Sequence, residues 1–214
     1  MLVLHYTGMR SAAAALERLC DPMAKVSAHY LIDEDGAVVR LVPEARRAWH
    51  AGVSWWQGRA SLNDVSVGIE LVNPGHEWGY RAFPAAQMAA LVELARGVAR
   101  RWRIPPGRIV GHSDIAPTRK DDPGELFDWA RLAAAGLGHW PARVVPLPPE
   151  PRLAATALGR IGYPGALQGV PLAAALRAFQ RRYRPSRCDG ELDAMTMGAL
   201  VAVADLCDGV DAAT

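Results

Sequence analysis

The chain has 214 residues, half of them hydrophobic, enough for one medium domain with a buried core and a smaller second unit. Charged residues make up 21% and the formal net charge is +2, which argues against a nucleic-acid binder with its concentrated basic face. No stretch reaches the roughly 18 apolar residues that cross a bilayer, and the three cysteines show no CxxC spacing, so neither a membrane span nor a disulfide framework is expected.

Leu2–Tyr6 reads as a strand, and the Ala-rich stretch Ser11–Leu19 as a helix. His29–Ile32 and Ala37–Val42 read as two strands joined by the turn Asp33-Glu-Asp-Gly36. Val65–Val72 is apolar and β-branched, with Gly68 and Glu70 inside it, and suits a central strand. Pro84–Trp102 is the strongest helix: Met88, Leu91, Val92, Ala95, Val98, Ala99 and Trp102 share one face, and Pro84 sits where a first turn tolerates it. A short strand follows over Ile109–His112, then a helix over Glu125–Ala135. The fold class is α/β, a mixed central sheet flanked by helices.

Pro141–Pro151 holds five prolines in eleven residues, which excludes a continuing helix or a central strand. The expected organisation is a first domain over residues 1–141, an extended linker over 142–152 and an all-helical unit over 153–214. In that unit Leu172, Leu176, Phe179 and Tyr183 form a helical stripe, Asp189-Gly190 marks a turn, and Met195–Leu206 reads as the last helix. Arg100-Arg101 and Arg181-Arg182 lie within helical patterns and read as solvated faces.

Of six histidines, His5 lies in the first strand and His112 ends another, where ligands of α/β sheets collect. Asp122 follows ten residues after His112. Two imidazoles and a carboxylate make a recognised zinc set with a fourth position open. Spacing alone leaves Asp121 as a rival, Glu70 as a buried ion-pair partner, and Lys120 as a solvated loop residue.

The segments Val3-Leu-His-Tyr-Thr7, Ser27-Ala-His-Tyr-Leu-Ile32, Ala48-Trp-His-Ala-Gly52, Asn63–Glu70, Gly111-His-Ser-Asp114 and Arg119-Lys-Asp-Asp-Pro-Gly124 resemble, in order, those of the type-2 N-acetylmuramoyl-L-alanine amidases. That family is related to phage lysozyme-like amidases and to peptidoglycan recognition proteins. The resemblance covers residues 2–141 and implies a Zn2+ ion on His5, His112 and Asp122, the aspartate immediately before Pro-Gly. It implies Glu70 as the general base and Lys120 as the oxyanion stabiliser. Aspartate at 122, where phage enzymes carry cysteine, places the chain nearer the bacterial enzymes, whereas Tyr6 stands where many relatives carry asparagine. His29 and His50 match positions near the cleft without a ligand role. Asp114 either orients His112 or caps the following turn, and Trp49, Trp55 and Trp56 serve either substrate contact or core packing.

Leu158–Tyr163, Ala178–Tyr183, Asp189–Asp193 and Thr196 resemble a three-helix peptidoglycan-binding domain, the alternative being a bundle that only stabilises the first domain. The implied function is zinc-dependent hydrolysis of the bond between N-acetylmuramic acid, ordinary or 1,6-anhydro, and L-alanine. Muropeptide or peptidoglycan is the partner, and the expected state is a monomer. A non-catalytic recognition protein of the same fold would typically have lost a metal ligand; a different zinc hydrolase would not be expected to carry the helical appendage. The compartment stays open: cytoplasm if Met1 is the native start, periplasm or envelope if a signal preceded it.

Overall fold

The computed structural model describes residues 1–211. In chain order its elements are β1 (Leu2–Tyr6), α1 (Ala12–Cys20), β2 (Tyr30–Ile32), β3 (Val38–Arg40), β4 (Trp55–Trp56), β5 (Arg59–Ala60) and β6 (Val67–Leu71). There follow α2 (Gly75–Trp78), α3 (Ala85–Trp102), β7 (Ile109–Gly111), α4 (His112–Ile115), α5 (Trp129–Ala134), α6 (Pro151–Ile161), α7 (Leu172–Tyr183) and α8 (Ala194–Asp211).

The main sheet runs in the order β3-β2-β6-β1-β7. Strands β2, β6, β1 and β7 are parallel, and β3 closes one edge as the antiparallel half of a hairpin with β2. The hairpin turns at Gly36, whose φ of 92° is left-handed; a Cβ there would also meet the Ala86 carbonyl oxygen at 3.0 Å. The sheet is therefore mixed and helix-flanked, as the alternating pattern predicts.

Side-chain alternation divides the sheet into two unlike faces. Leu2, Leu4, Val67, Ile69, Leu71 and Ile109 point into a core closed by Met88, Leu91, Ala95 and Val98 of α3. Val3 and Val110 point the other way, into a second core with Ile115, Trp56, Leu158, Leu176, Phe179 and Leu200. The C-terminal helices thus cover the second face of the sheet, and Ala15 of α1 packs on Leu31 farther along it. Segment 142–150 is laid along α8. Leu147 N–H donates to the Ala194 carbonyl at 2.9 Å, and a Cβ on Gly198 would sit 1.9 Å from the Val145 carbonyl oxygen. Helix α6 begins at Pro151, inside the stretch read as linker, because proline suits a first turn and the Glu150 carboxylate accepts from the Arg152 and Leu153 N–H groups.

Several expectations are adjusted. The helix expected over Glu125–Ala135 starts only at Trp129, where Asp128 caps it; Phe127 is spent on an edge-to-face contact with Phe83. Trp102 does not share the apolar face of α3. It is half exposed, and its indole N–H donates to Glu44 at 2.5 Å. The β4–β5 hairpin went unpredicted. Its turn places both Gln57 (φ 44°) and Gly58 (φ 80°) in the left-handed region, with Gln57 N–H held by the Gly162 carbonyl at 3.0 Å. The Phe-Gln pair in α7 has a structural use. Phe179 is wholly buried, and the Gln180 amide accepts from Gly190 N–H (2.7 Å) while donating to the Glu191 carbonyl (2.8 Å), fixing the Asp-Gly turn.

Arg181 and Arg182 correct the reading of a solvated face. They are 8% and 5% exposed, because acidic partners wait for them on the first domain.

Candidate active site and metal centre

The second face of the sheet, at the carboxyl end of the parallel strands, carries the polar residues. In the β1–β6 pairing His5 lies directly beside Glu70, and in the β1–β7 pairing Leu4 lies beside Gly111, so His112 emerges next to His5. The loop 116–124 then returns Asp122 to the same point, held by Ser113 N–H donating to the Asp122 carbonyl at 2.8 Å. His5 Nδ1, His112 Nδ1 and Asp122 Oδ2 lie 3.0 Å from one another, all three residues buried. Among the described residues this is the His/Cys/Asp/Glu group placed to hold a metal ion.

The hydrogen bonds behind the two imidazoles fix their tautomers. His112 Nε2 faces the Ala51 carbonyl at 3.1 Å; a carbonyl only accepts, so Nε2 carries a proton, which in the neutral form of the ring leaves Nδ1 a lone pair. For His5 the path is longer. Ser66 hydroxyl donates to the Leu62 carbonyl (2.6 Å), so it accepts from His50 Nε2–H (3.3 Å). His50 Nδ1 is then an acceptor and takes the His5 Nε2–H (3.1 Å), which leaves His5 Nδ1 as a lone pair. Burial, and then the charges of His5, His29 and His112, hold the His50 imidazole well below its ordinary range, so it stays neutral. Two lone pairs and a carboxylate oxygen therefore converge, and a divalent cation with imidazole and carboxylate preference fits them.

The charge balance agrees with that use. Burial, then the neighbouring His112, push His5 down to about 4. Burial opposes ionisation of Asp122, but His112 and His5, when they carry a proton on the Nδ1 that faces it, outweigh burial and hold the carboxyl far below its ordinary value; with both Nδ1 atoms as lone pairs, a bound cation would take over that role. Glu70 goes the opposite way: burial first, then the Asp122 charge, push its pKa well up, with Lys120 offsetting part of the rise. Its Oε2 is shut off from solvent and has no hydrogen-bond partner. Two nearby carboxyls pushed in opposite directions are suited to different tasks.

A cleft of about 390 Å³ opens on this cluster, lined by Glu70, Lys120, Arg119, Tyr6, Trp49 and residues of α1. Lys120 is half-buried on its wall, while Asp121 points outward to Arg181. Of the tryptophans, Trp49 is exposed beside the cleft with the Arg47 guanidinium 4.1 Å over its ring, and Trp56 is core, in edge contact with Tyr163. Asp114 caps the turn at β7: its Oδ2 accepts from Gly111 N–H at 2.8 Å. His29 supports the neighbouring strand, its Nδ1 accepting from Gly68 N–H at 2.9 Å. Ser66 and the Ala51 carbonyl were missed from sequence, since neither is distinctive until β6 and the loop after β3 come together.

A family model described as N-acetylmuramoyl-L-alanine amidase matches residues 1–125. The chain belongs to this amidase family. It is 37% identical to the N-acetylmuramoyl-L-alanine amidase AmiD of Escherichia coli K12 over 95% of this chain and 81% of that protein. The 1,6-anhydro-N-acetylmuramyl-L-alanine amidase AmpD of Citrobacter freundii is 46% identical over 51% of this chain and 57% of its own length. Among solved structures, AmpDh3 of Pseudomonas aeruginosa superposes with a TM-score of 0.86 at 35% identity, covering 96% of this chain and 91% of that one. The E. coli AmiD complex with anhydro-N-acetylmuramic acid-L-Ala-D-γ-Glu-L-Lys gives 0.85 at 36% identity, covering 96% and 88%. Both span the C-terminal helices as well as the sheet, and the chain is a peptidoglycan amidase.

Proposed function

We propose that the chain hydrolyses the amide between 1,6-anhydro-N-acetylmuramic acid and L-alanine of muropeptides, with Zn2+ held by His5, His112 and Asp122. The observation that carries the reading is the convergence of two imidazole lone pairs and a buried carboxylate beside an unpartnered Glu70 oxygen. Bound there, zinc would supply Lewis-acid activation of a water molecule and of the scissile carbonyl. Glu70 takes a proton at its free carboxylate oxygen and returns it to the departing amine nitrogen; its raised pKa brings it nearer that of the groups it exchanges with. Lys120 offers its ammonium to the negative charge that develops on the carbonyl oxygen. Both imidazoles can turn an Nδ1 lone pair to the ion because their Nε2 protons are committed elsewhere. The anhydro sugar is favoured by its presence in the AmiD complex. The three C-terminal helices are proposed to add contact with polymeric wall, a reading that rests on their motif resemblance.

The test measures bound zinc, then release of peptide from an anhydro-muropeptide and from whole sacculi. Activity lost on chelation, restored by zinc and absent in His112→Ala is the expected result. Turnover that survives both treatments refutes the metal assignment, and equal rates on ordinary and anhydro muropeptides refute the sugar preference.

A further inference from the structure

Helix α7 ends in two adjacent arginines that leave their own bundle to grip the first domain. The Arg182 guanidinium donates to Asp114 Oδ2 at 2.9 Å and lies 4.0 Å from the Trp129 ring centre. The same carboxylate receives the Tyr163 hydroxyl on Oδ1 at 2.6 Å and the Gly111 N–H on Oδ2. All of these side chains are buried. One residue back, Arg181 donates to Asp121 Oδ1 at 2.6 Å and lies 3.8 Å from Glu125 Oε2. The two gripped positions lie within the segment that runs from His112 through Lys120 to Asp122. Asp114 is two residues past His112, and Asp121 stands between Lys120 and Asp122.

We propose that Arg182 and Arg181 are positioning residues of the metal centre, so that the C-terminal helices complete the amidase site rather than only adhere to wall. The inference rests on the zinc assignment proposed above. The physical reason is the cost of a buried carboxylate without its cation. Deprived of Arg182, the buried Asp114 side chain loses its cation and turns toward water. That movement loosens the Gly111 N–H that it caps, and His112 is the next residue. A ligand set tolerates displacement of only about 0.5 Å before it loses affinity. Arg181 acts at the other end, fixing Asp121 outward so that its neighbour Asp122 faces the imidazoles.

The experiment compares zinc affinity, by competition with a chromophoric chelator, for the full-length wild type and for Arg182→Met, Arg182→Lys and Arg181→Gln, with circular dichroism reporting the fold. The expected results are a 10- to 100-fold loss of zinc affinity in Arg182→Met, the range seen when groups supporting metal ligands are removed, and partial recovery in Arg182→Lys. Arg181→Gln, whose partner Asp121 is solvent-exposed, keeps its fold and is expected to lose about tenfold. Folded variants that bind zinc as the wild type does, with only their unfolding midpoints lowered, would overturn the inference and leave the arginines as docking contacts. If Arg182→Met does not fold, Arg181→Gln decides by the same criterion. A wild-type chain whose zinc affinity equals that of His112→Ala overturns the metal assignment and this inference together; a normal wild type with unaffected arginine variants overturns this inference alone.

Discussion

Gly68→Ala isolates the support behind His5 without altering any of the proposed metal ligands. Gly68 lies on β6 with ordinary strand geometry, so a methyl group there causes no backbone strain; what it meets is the His50 ring. The added Cβ would stand 2.5 Å from Cγ and 2.6 Å from both Cδ2 and Nδ1. Carbon contacts relax to about 3.5 Å, so the imidazole must retreat by about 1 Å. The ring is fixed between His5 Nε2 at 3.1 Å and Ser66 Oγ at 3.3 Å, and a shift of that size lengthens at least one bond beyond hydrogen-bonding reach. Losing one bond to a buried imidazole costs about 1–3 kcal/mol, and overpacking adds a similar strain. Zinc affinity is therefore expected to fall roughly 10- to 100-fold and stability by about 2–6 kcal/mol. Chelator competition gives the first quantity and urea unfolding of the metal-free protein the second. A variant that binds zinc within threefold of wild type would refute the directed chain from Leu62 through Ser66 and His50 to His5.

The remaining predictions concern the base, the shared core and an acid-sensitive clamp. Glu70→Gln should keep zinc while turnover drops at least ~100-fold. In the wild type the acid limb of kcat/KM should lie above the ordinary glutamate pKa of 4.5, since a base with a raised pKa is lost to protonation as pH falls through that higher value; a variant with wild-type turnover would remove Glu70 from the chemistry. Phe179→Ala should cost about 3–5 kcal/mol in one cooperative urea transition, because Phe179 shares its core with Val3 and Val110 of the sheet. Two separated transitions, with only the first shifted, would contradict that shared core. Glu44 accepts from Tyr30, Arg101 and Trp102, and although burial opposes its ionisation, these donors bring its pKa down to about 2. The folded state thus favours the carboxylate. Its contribution, about 1 kcal/mol because Arg101 is half solvated, is full above pH 4.5 and disappears as pH falls toward 2. The stability gap between wild type and Glu44→Gln should close over that window, and a gap that stays constant would assign Glu44 no such role.

The sequence made the sheet and its long helix legible because their periodicities differ: the 3.6-residue stripe of α3 and the apolar run of β6 need no tertiary information. The β4–β5 hairpin escaped because Gln57 adopts a left-handed φ with outside help from Gly162, which no local pattern announces. The site divided in the same way. His5, His112 and Asp122 are 117 positions apart at their extremes, and only the ordered motifs joined them; the strand register then supplies the physical reason. The supporting residues were opaque. His50 acts through a position opposite Gly68, and Arg181-Arg182 looked like a solvated face because a charge pattern records its own sign and not the carboxylate that will meet it.

The two faces of the sheet explain why chemistry gathers where it does. On the α3 side every inward residue of β1, β6 and β7 in the core is apolar, and polar groups there would go unsatisfied. On the other face a polar layer is tolerable because each imidazole has a backbone or hydroxyl terminus for its proton: Ala51 for His112, Ser66 and Leu62 for His50, Arg46 for His29. That layer is closed except at Glu70 Oε2. A buried carboxylate oxygen with no donor is costly unless something visits it, and Glu70, which lines the cleft beside three converging ligand atoms, carries such an oxygen. The fold thus spends its satisfied bonds on orienting the imidazoles and leaves Glu70 Oε2 open, the atom at which the proposed mechanism moves its proton.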